Sequence, residues 1–226
     1  MYMNLESNIY TLIRNALALN NASIIKEDDN YLFVDDKEAA IFYIVFKQRD
    51  ETLVSLISDS IRIEPTVSVI SEVKLDLAPN SAFKCFRETY QYSYTGKPFE
   101  LDVPYQISEL TMDDWDYLKS HYYRNGNDEP YLKGCIKRGM LKAHFDDNII
   151  GFVGEHPEHA LGLLFVDENY RRQGIGKTLE KAMINKILQE GRVPIEHVVL
   201  TNENSKKLQA SIPDMNKDEG YVYWYF

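Results

Sequence analysis

Leu163-Leu164-Phe165-Val166-Asp167-Glu168-Asn169-Tyr170-Arg171-Arg172-Gln173-Gly174-Ile175-Gly176-Lys177 is the stretch whose reading decides the fold. An apolar, β-rich run leads into a basic loop with two glycines, and a helix-patterned segment follows. From Ile175 to Gln189 the residues Leu179, Ala182, Met183, Ile187 and Leu188 form one helical stripe, stopped by Gly191. A loop between strand and helix aims several backbone N–H groups and a positive dipole end at one point. Gly174 and Gly176 lack the Cβ that would hold a ligand off the backbone. Arg171, Arg172 and Lys177 add charge-assisted donors, which contribute about 1.5–3 kcal/mol each when well placed. The arrangement suits a phosphate. The competing reading is a solvated Arg-Arg pair ahead of a tightly packed helix.

The surrounding charge sharpens the contrast. The 226 residues carry 25 basic and 35 acidic side chains, a net charge of −10, spread evenly along the chain. Bulk nucleic-acid binding is disfavoured, because it needs a positive surface that releases phosphate counterions. Residues 165–192 nevertheless hold six basic and four acidic groups, a positive island in an acidic chain. Two familiar phosphate motifs nearly match and fail. A P-loop needs glycine where Arg171 stands, and a dinucleotide fingerprint needs Gly or Ala where Leu179 stands.

Outward from this stretch, the second part of the chain reads clearly. Tyr105 to Leu110 is strand-like, and Thr111 with Asp114 forms a capping-box pattern for a helix. Pro130 and Gly139 bracket a further short helix. Leu141 to Phe145 and Ile149 to Val153 flank Asp146-Asp147-Asn148 as a hairpin, and Leu161 to Val166 is the next strand. His197 to Thr201 reads as a strand, Ser205 to Ser211 as a short helix, and Tyr221 to Phe226 as a terminal strand.

Nearer the start, residues 5–18 have the spacing of an amphipathic helix. Ala22 to Ile25 and Tyr31 to Val34 form a hairpin, and Ala39 to Phe46 suits a buried strand. A helix from Glu51 to Ile61 is expected next. Residues 66–100 stay ambiguous, with strand-like Val67, Val69 and Val73 before Tyr-rich sequence, and the Gly96-Lys97-Pro98 punctuation sets the domain boundary. Cys85 and Cys135 stand fifty positions apart, outside any zinc-like spacing, and read as reduced, buried side chains. Met1 to Leu19 lacks a basic, cleavable leader pattern, and the longest apolar runs fall far below the roughly 20 residues of a membrane span. The expectation is a cytoplasmic protein that uses no metal.

Arg171-x-x-Gly174-x-Gly176 after a strand ending in Val166 resembles the acetyl-CoA signature of the GNAT N-acetyltransferase superfamily, [Gln/Arg]-x-x-Gly-x-[Gly/Ala]. The order of elements over residues 105–226 is similar to that fold. Thr201-Asn202-Glu203-Asn204-Ser205-Lys206-Lys207-Leu208 resembles the family's next motif, Asn-x-x-Ser-x-x-Leu. Gly151 to Glu158, running into the signature strand, most resembles the glycine N-acyltransferase-like C-terminal branch. The resemblance implies an α/β fold: a mixed, mostly antiparallel splayed sheet flanked by helices over residues 101–226. Residues 1–100 form an N-terminal α/β domain, for which a degenerate acyltransferase-like half is one reading.

It also implies chemistry. Backbone groups of Phe165 and Val166 would pair with the pantetheine arm. The loop Arg171, Arg172, Gln173, Gly174, Ile175, Gly176 and Lys177 would hold the pyrophosphate. Asn202, and less directly Ser205, would touch pantetheine, although an N-cap role suits Asn202 equally. The reaction would be direct attack of an amine on the thioester of acetyl-CoA, the co-substrate, with a side chain positioned to take the proton. Glu155 and Glu158 lead as candidates for that base, with His156 third. Gln209 stands where many relatives place a tyrosine acid; Tyr221, Tyr223 and Tyr225 are substitutes or simply a packing face. The expected partner is a small-molecule amine or amino acid, with no nucleic acid or membrane. Oligomeric state is open between monomer and homodimer. The alternative function is a catalytically impaired CoA-binding regulatory or interaction module.

Overall fold

The computed structural model describes residues 9–20, 22–27, 31–46, 68–71, 74, 86–122 and 129–225. The chain forms two compact units. One gathers residues 1–92, 197–206 and 217–226; the other gathers residues 93–196 and 207–216.

In the first unit, helix α1 (Ile9–Ala18) buries Leu12, Ile13 and Ala16, the face its spacing predicts. Strands β1 (Ala22–Glu27), β2 (Tyr31–Asp36) and β3 (Ile41–Phe46) then form an antiparallel meander. Phe33, Val34, Tyr43 and Ile44 supply the core of this meander. Strand β4 (Ser68–Ser71), which contains Val69, runs parallel to β3. The Tyr-rich stretch is strand β5 (Phe86–Tyr94). The terminal strand, here Val222–Tyr225, pairs antiparallel with both β4 and β5. The expected helix at 51–61, Val67, Val73 and Cys85 lie outside the described residues.

The second unit is built on strands β6 (Gln106–Glu109), β7 (Leu141–Phe145), β8 (Asn148–Glu155) and β9 (Leu161–Val166), each antiparallel to the next. Strand β10 (Ile195–Val199) joins β9 in parallel at Glu196 and Leu161. Helix α2 (Trp115–Tyr122) follows a single 3-10 turn, whose Thr111 capping box with Asp114 forms as its spacing requires. Helix α3 (Glu129–Lys137) ends before Gly139, which has φ +94°. Helix α4 (Ile175–Gln189) buries Leu179, Ala182, Met183 and Ile187 of the predicted stripe, and also Ile175, Glu180 and Ile184. Successive residues of a strand face opposite sides. Phe165 accordingly packs with Phe152 and the α2 side, while Leu164 and Val166 lie under Gly176 of α4.

Helix α5 (Glu203–Ser211) starts two residues earlier than its spacing suggests, because Asn202 caps it. A three-residue strand, β11 (Met215–Lys217), is too short for alternation to reveal; the terminal strand is thus β12. The architecture is mixed α/β with a mostly antiparallel open sheet flanked by helices. The two units share a local order: helix, antiparallel three-strand meander, then a strand parallel to the last. In the first unit these are α1, β1–β3 and β4; in the second they are α3, β7–β9 and β10.

Candidate active site

The second unit holds most of the candidate site residues. Opposite Val153 of β8, strand β9 inserts two residues, Leu163 and Leu164, between the pairs Phe152–Phe165 and Gly154–Gly162. This is a β-bulge, and buried Leu163 sits in it at φ +49°. A left-handed, branched residue in a strand costs on the order of 1–3 kcal/mol and is tolerated where the surroundings enforce it. The bulge takes backbone groups of β9 out of the ladder, just past the point where Leu161 pairs with Glu196.

Beyond Val166 the chain makes a 3-10 turn (Glu168–Tyr170), capped by Asp167, whose Oδ1 accepts from Asn169 N at 2.9 Å. Arg171 is anchored there: its Nε donates to the Val166 carbonyl at 2.9 Å and its Nη1 pairs with Glu168 at 3.2 Å. The Gln173 amide donates to the Asn169 carbonyl at 3.2 Å. Arg172 (φ +62°) and Gly174 (φ +84°) both take left-handed backbone, curling the loop so that successive amides converge. Gly174 is the N-cap of α4 and has no side chain to cap it. Thr178 N makes the first helical bond, to the Gly174 carbonyl at 3.0 Å. The first-turn amides of Ile175, Gly176 and Lys177 are therefore free of side-chain caps, and the space where a Gly174 Cβ would project is open. The Lys177 ammonium donates to the Ser211 carbonyl at the end of α5.

Asn202 and Ser205 lie in the first unit. Asn202 Oδ1 accepts from Ser205 N at 3.2 Å, and its Nδ2 donates to Ser205 Oγ at 3.0 Å, so Asn202 caps α5. Tyr221 and Tyr223 continue a row of rings begun by Tyr90, and Tyr225 is buried.

The three base candidates come together in the turn between β8 and β9, closed by His156 N to the Ala160 carbonyl at 2.9 Å. Their surroundings differ sharply. Glu155 is 1% exposed and gripped by Arg192, with Nη1–Oε1 at 2.6 Å and Nη2–Oε2 at 2.7 Å. Glu158 is buried, which pushes its carboxyl up to about 8 against the opposing pull of a backbone hydrogen bond and Arg138. Neighbouring His159 is held down to about 4, by burial first and then by Arg192 and Arg138. His156 alone of the three is partly exposed; its Nδ1 is hydrogen-bonded to Tyr131 Oη, and the two rings stack. A Cβ at Gly162 would overlap the His156 ring, so the imidazole lies against β9 one residue before the Leu163 bulge. Tyr131 also bonds buried, reduced Cys135, whose thiol burial pushes up to about 11. Among the described residues, no group of three or more His, Cys, Asp or Glu is arranged to hold a metal ion, and no helix is long and apolar enough to cross a membrane.

The spacing singled out Gln209 but not its surroundings. Gln209 is fully buried; its Nε2 donates to both oxygens of Glu180 at 3.2 Å and to Glu196. Tyr131, Arg192, Glu180 and Glu196 carry no short-range sequence signal, because each acquires its role from a partner on another element.

Residues 100–209 match the model of the acetyltransferase (GNAT) family. Solved structures align along nearly the whole chain at low identity. A Drosophila protein is 18% identical over 99% of this chain and 91% of its own, with a TM-score of 0.67. A Novosphingobium aromaticivorans protein assigned to the GNAT family is 12% identical over 97% and 96%, at 0.66. A GNAT-family acetyltransferase from Colwellia psychrerythraea is 11% identical over 97% of each chain, at 0.53. No curated protein matches in sequence.

Proposed function

On the premise that residues 100–209 form a GNAT acetyltransferase domain, we propose that the chain is an acetyl-CoA-dependent N-acetyltransferase of the cytoplasm. It moves an acetyl or short acyl group to the amine of a small molecule or amino acid. The observation that carries this reading is the uncapped start of α4 at Gly174, flanked by Arg171 and Arg172 at the end of a bulged strand. The residues fit acetyl-CoA: converging amides and two guanidinium groups suit a pyrophosphate, and the free backbone of β9 suits an amide-bearing arm. When bound, acetyl-CoA supplies the activated acyl group.

The proton is the task of the β8–β9 turn. His156, hydrogen-bonded through Nδ1 to Tyr131 Oη and lying against β9, is the imidazole that takes the proton of the attacking amine. Glu155 holds the turn through Arg192, and Glu158, kept protonated by burial, supports it from beneath. A backbone N–H that the Leu163 bulge takes out of the ladder would serve to stabilise charge developing on the acyl oxygen.

Residues 1–100 are read as a degenerate acyltransferase-like half. The shared order of elements supports this, and the sequence linking β3 to β4, residues 47–67, contains no glycine with which to build a second cradle. Isothermal titration of the full chain with acetyl-CoA tests the proposal. Saturable binding that is lost on Gly174→Val supports it; absence of binding contradicts it.

A further inference from the structure

Two carboxyl groups are buried side by side beneath the signature helix. Glu180 of α4 is 4% exposed and Glu196 of β10 is 8% exposed; they hydrogen-bond to each other, and the fully buried Gln209 of α5 bridges them. Two bare carboxylates cannot share such a site without a cation, because like charges in low dielectric repel strongly. Cations near the cluster in sequence are engaged elsewhere: Lys177 with the Ser211 carbonyl, Lys181 over the Phe99 ring, Arg192 with Glu155 and Glu190, and Lys206 with Glu203 and the Leu200 carbonyl. The Glu196 backbone pairs with Leu161, at the root of the bulged strand. Burial raises both carboxyls, and the charge of Glu180 raises Glu196 further, so the pair holds a proton at neutral pH.

The position of this cluster matters. Lys177 and Glu180 are one turn apart on α4, and their partners Ser211 and Gln209 are two residues apart on α5. The first turns of α4, whose amides form the phosphate cradle, are thus tied to α5 at two points and to β10 at one.

We propose that Glu180, Glu196 and Gln209 are positioning residues for the acyl-CoA cradle, forming a lock between α4, β10 and α5 that a proton shared by the two carboxyls keeps closed. The inference rests on the acyl-CoA reading of the cradle. Burial raises both carboxyls, Glu180 to about 8 and Glu196 also upward, so the lock is closed at neutral pH and opens as the pair loses its last proton in alkali. Opening sets two negative charges against each other between α4 and β10, and the cradle loses its alignment. Amine attack itself does not use these groups.

The test is acetyl-CoA affinity by isothermal titration between pH 7.5 and 9.5, where the ligand's phosphates stay fully ionised. The wild-type chain should bind on the order of tenfold more weakly at pH 9.5 than at pH 7.5. Glu196→Gln keeps a neutral donor to Glu180 and should bind with nearly constant affinity across that range. Thermal unfolding without ligand gives the same comparison independently: wild type should lose more stability than E196Q as pH rises. A wild-type affinity that does not change with pH, or an E196Q profile that falls in parallel with it, overturns the lock. If neither protein binds acetyl-CoA at any pH, the acyl-CoA reading fails and takes the cradle role with it.

Discussion

Arg192 closes on Glu155 with both arms of its guanidinium, at 2.6 and 2.7 Å, and neither side chain is more than 3% exposed. Glu190 adds a further carboxylate to the same arginine. Glu155→Gln removes a bidentate, charge-assisted partner but leaves Arg192 paired with Glu190, so the charge is not stranded. The variant should lower the free energy of unfolding by about 1.5–3 kcal/mol in urea titrations. Turnover per folded molecule should fall far less than on loss of His156.

His156 and Tyr131 should act together. A positioned base contributes roughly 10²–10⁴-fold, so His156→Ala should reduce kcat by that order while acetyl-CoA affinity is retained. Tyr131→Phe keeps the ring stack but removes the hydrogen-bond partner of Nδ1, and should show a smaller loss. Steady-state kinetics beside calorimetric Kd values separates the two effects. Equal rates for wild type and H156A would remove His156 from the mechanism.

The cradle should depend on charge and on backbone. Loss of one guanidinium by Arg171→Ala or Arg172→Ala should raise the Kd for acetyl-CoA by about 10–100-fold, more at low salt than at high salt. Gly174→Ala places a side chain at φ +84°, a strain of roughly 1–2 kcal/mol that thermal unfolding can read.

Stability should peak in mildly acidic solution. Glu158, raised to about 8, contributes stability that is complete below its unfolded value and fades as pH rises through 8. His159, lowered to about 4, contributes stability that is complete above its unfolded value and fades as pH falls through 4. Glu180 and Glu196, also raised by burial, add to the alkaline loss, so the maximum should lie near about pH 4.5, toward the unfolded values of the carboxyls. Glu158→Gln should lessen the alkaline slope of a melting-temperature profile and leave the acid side in place.

One acetyl-CoA should bind per chain. The first unit repeats the order of elements, but the sequence between β3 and β4 has no glycine-bearing basic loop. Calorimetric stoichiometry near two would restore a working cradle to that half.

Most of the second unit's elements are legible in the sequence because their signals are local. The stripe from Leu179 to Ile187, the Thr111–Asp114 box and the Asp146–Asn148 turn each need only their immediate neighbours. Glu180 breaks the stripe's logic: it lies on the buried face, yet its acceptability depends on Glu196 and Gln209, 16 and 29 residues away. The same holds for Glu155, which reads as a free carboxylate until Arg192 is brought to it. The proposed cradle sits between these cases. Gly174 and Arg171 declare it through spacing, while the Leu163 bulge shows no mark in a run of apolar residues that suits an unbroken strand equally well. The segments 197–206 and 217–226, which cluster with residues 1–92, carry no compositional sign of that association.

The central claim is acyl transfer to an amine, and free-thiol release from acetyl-CoA across a panel of small amines and amino acids tests it most directly. The account predicts release that requires a particular amine, yields the acetylated amine by mass spectrometry, and falls by about 10²-fold or more in H156A. A chain that binds acetyl-CoA yet releases thiol no faster with any amine than without one would contradict it.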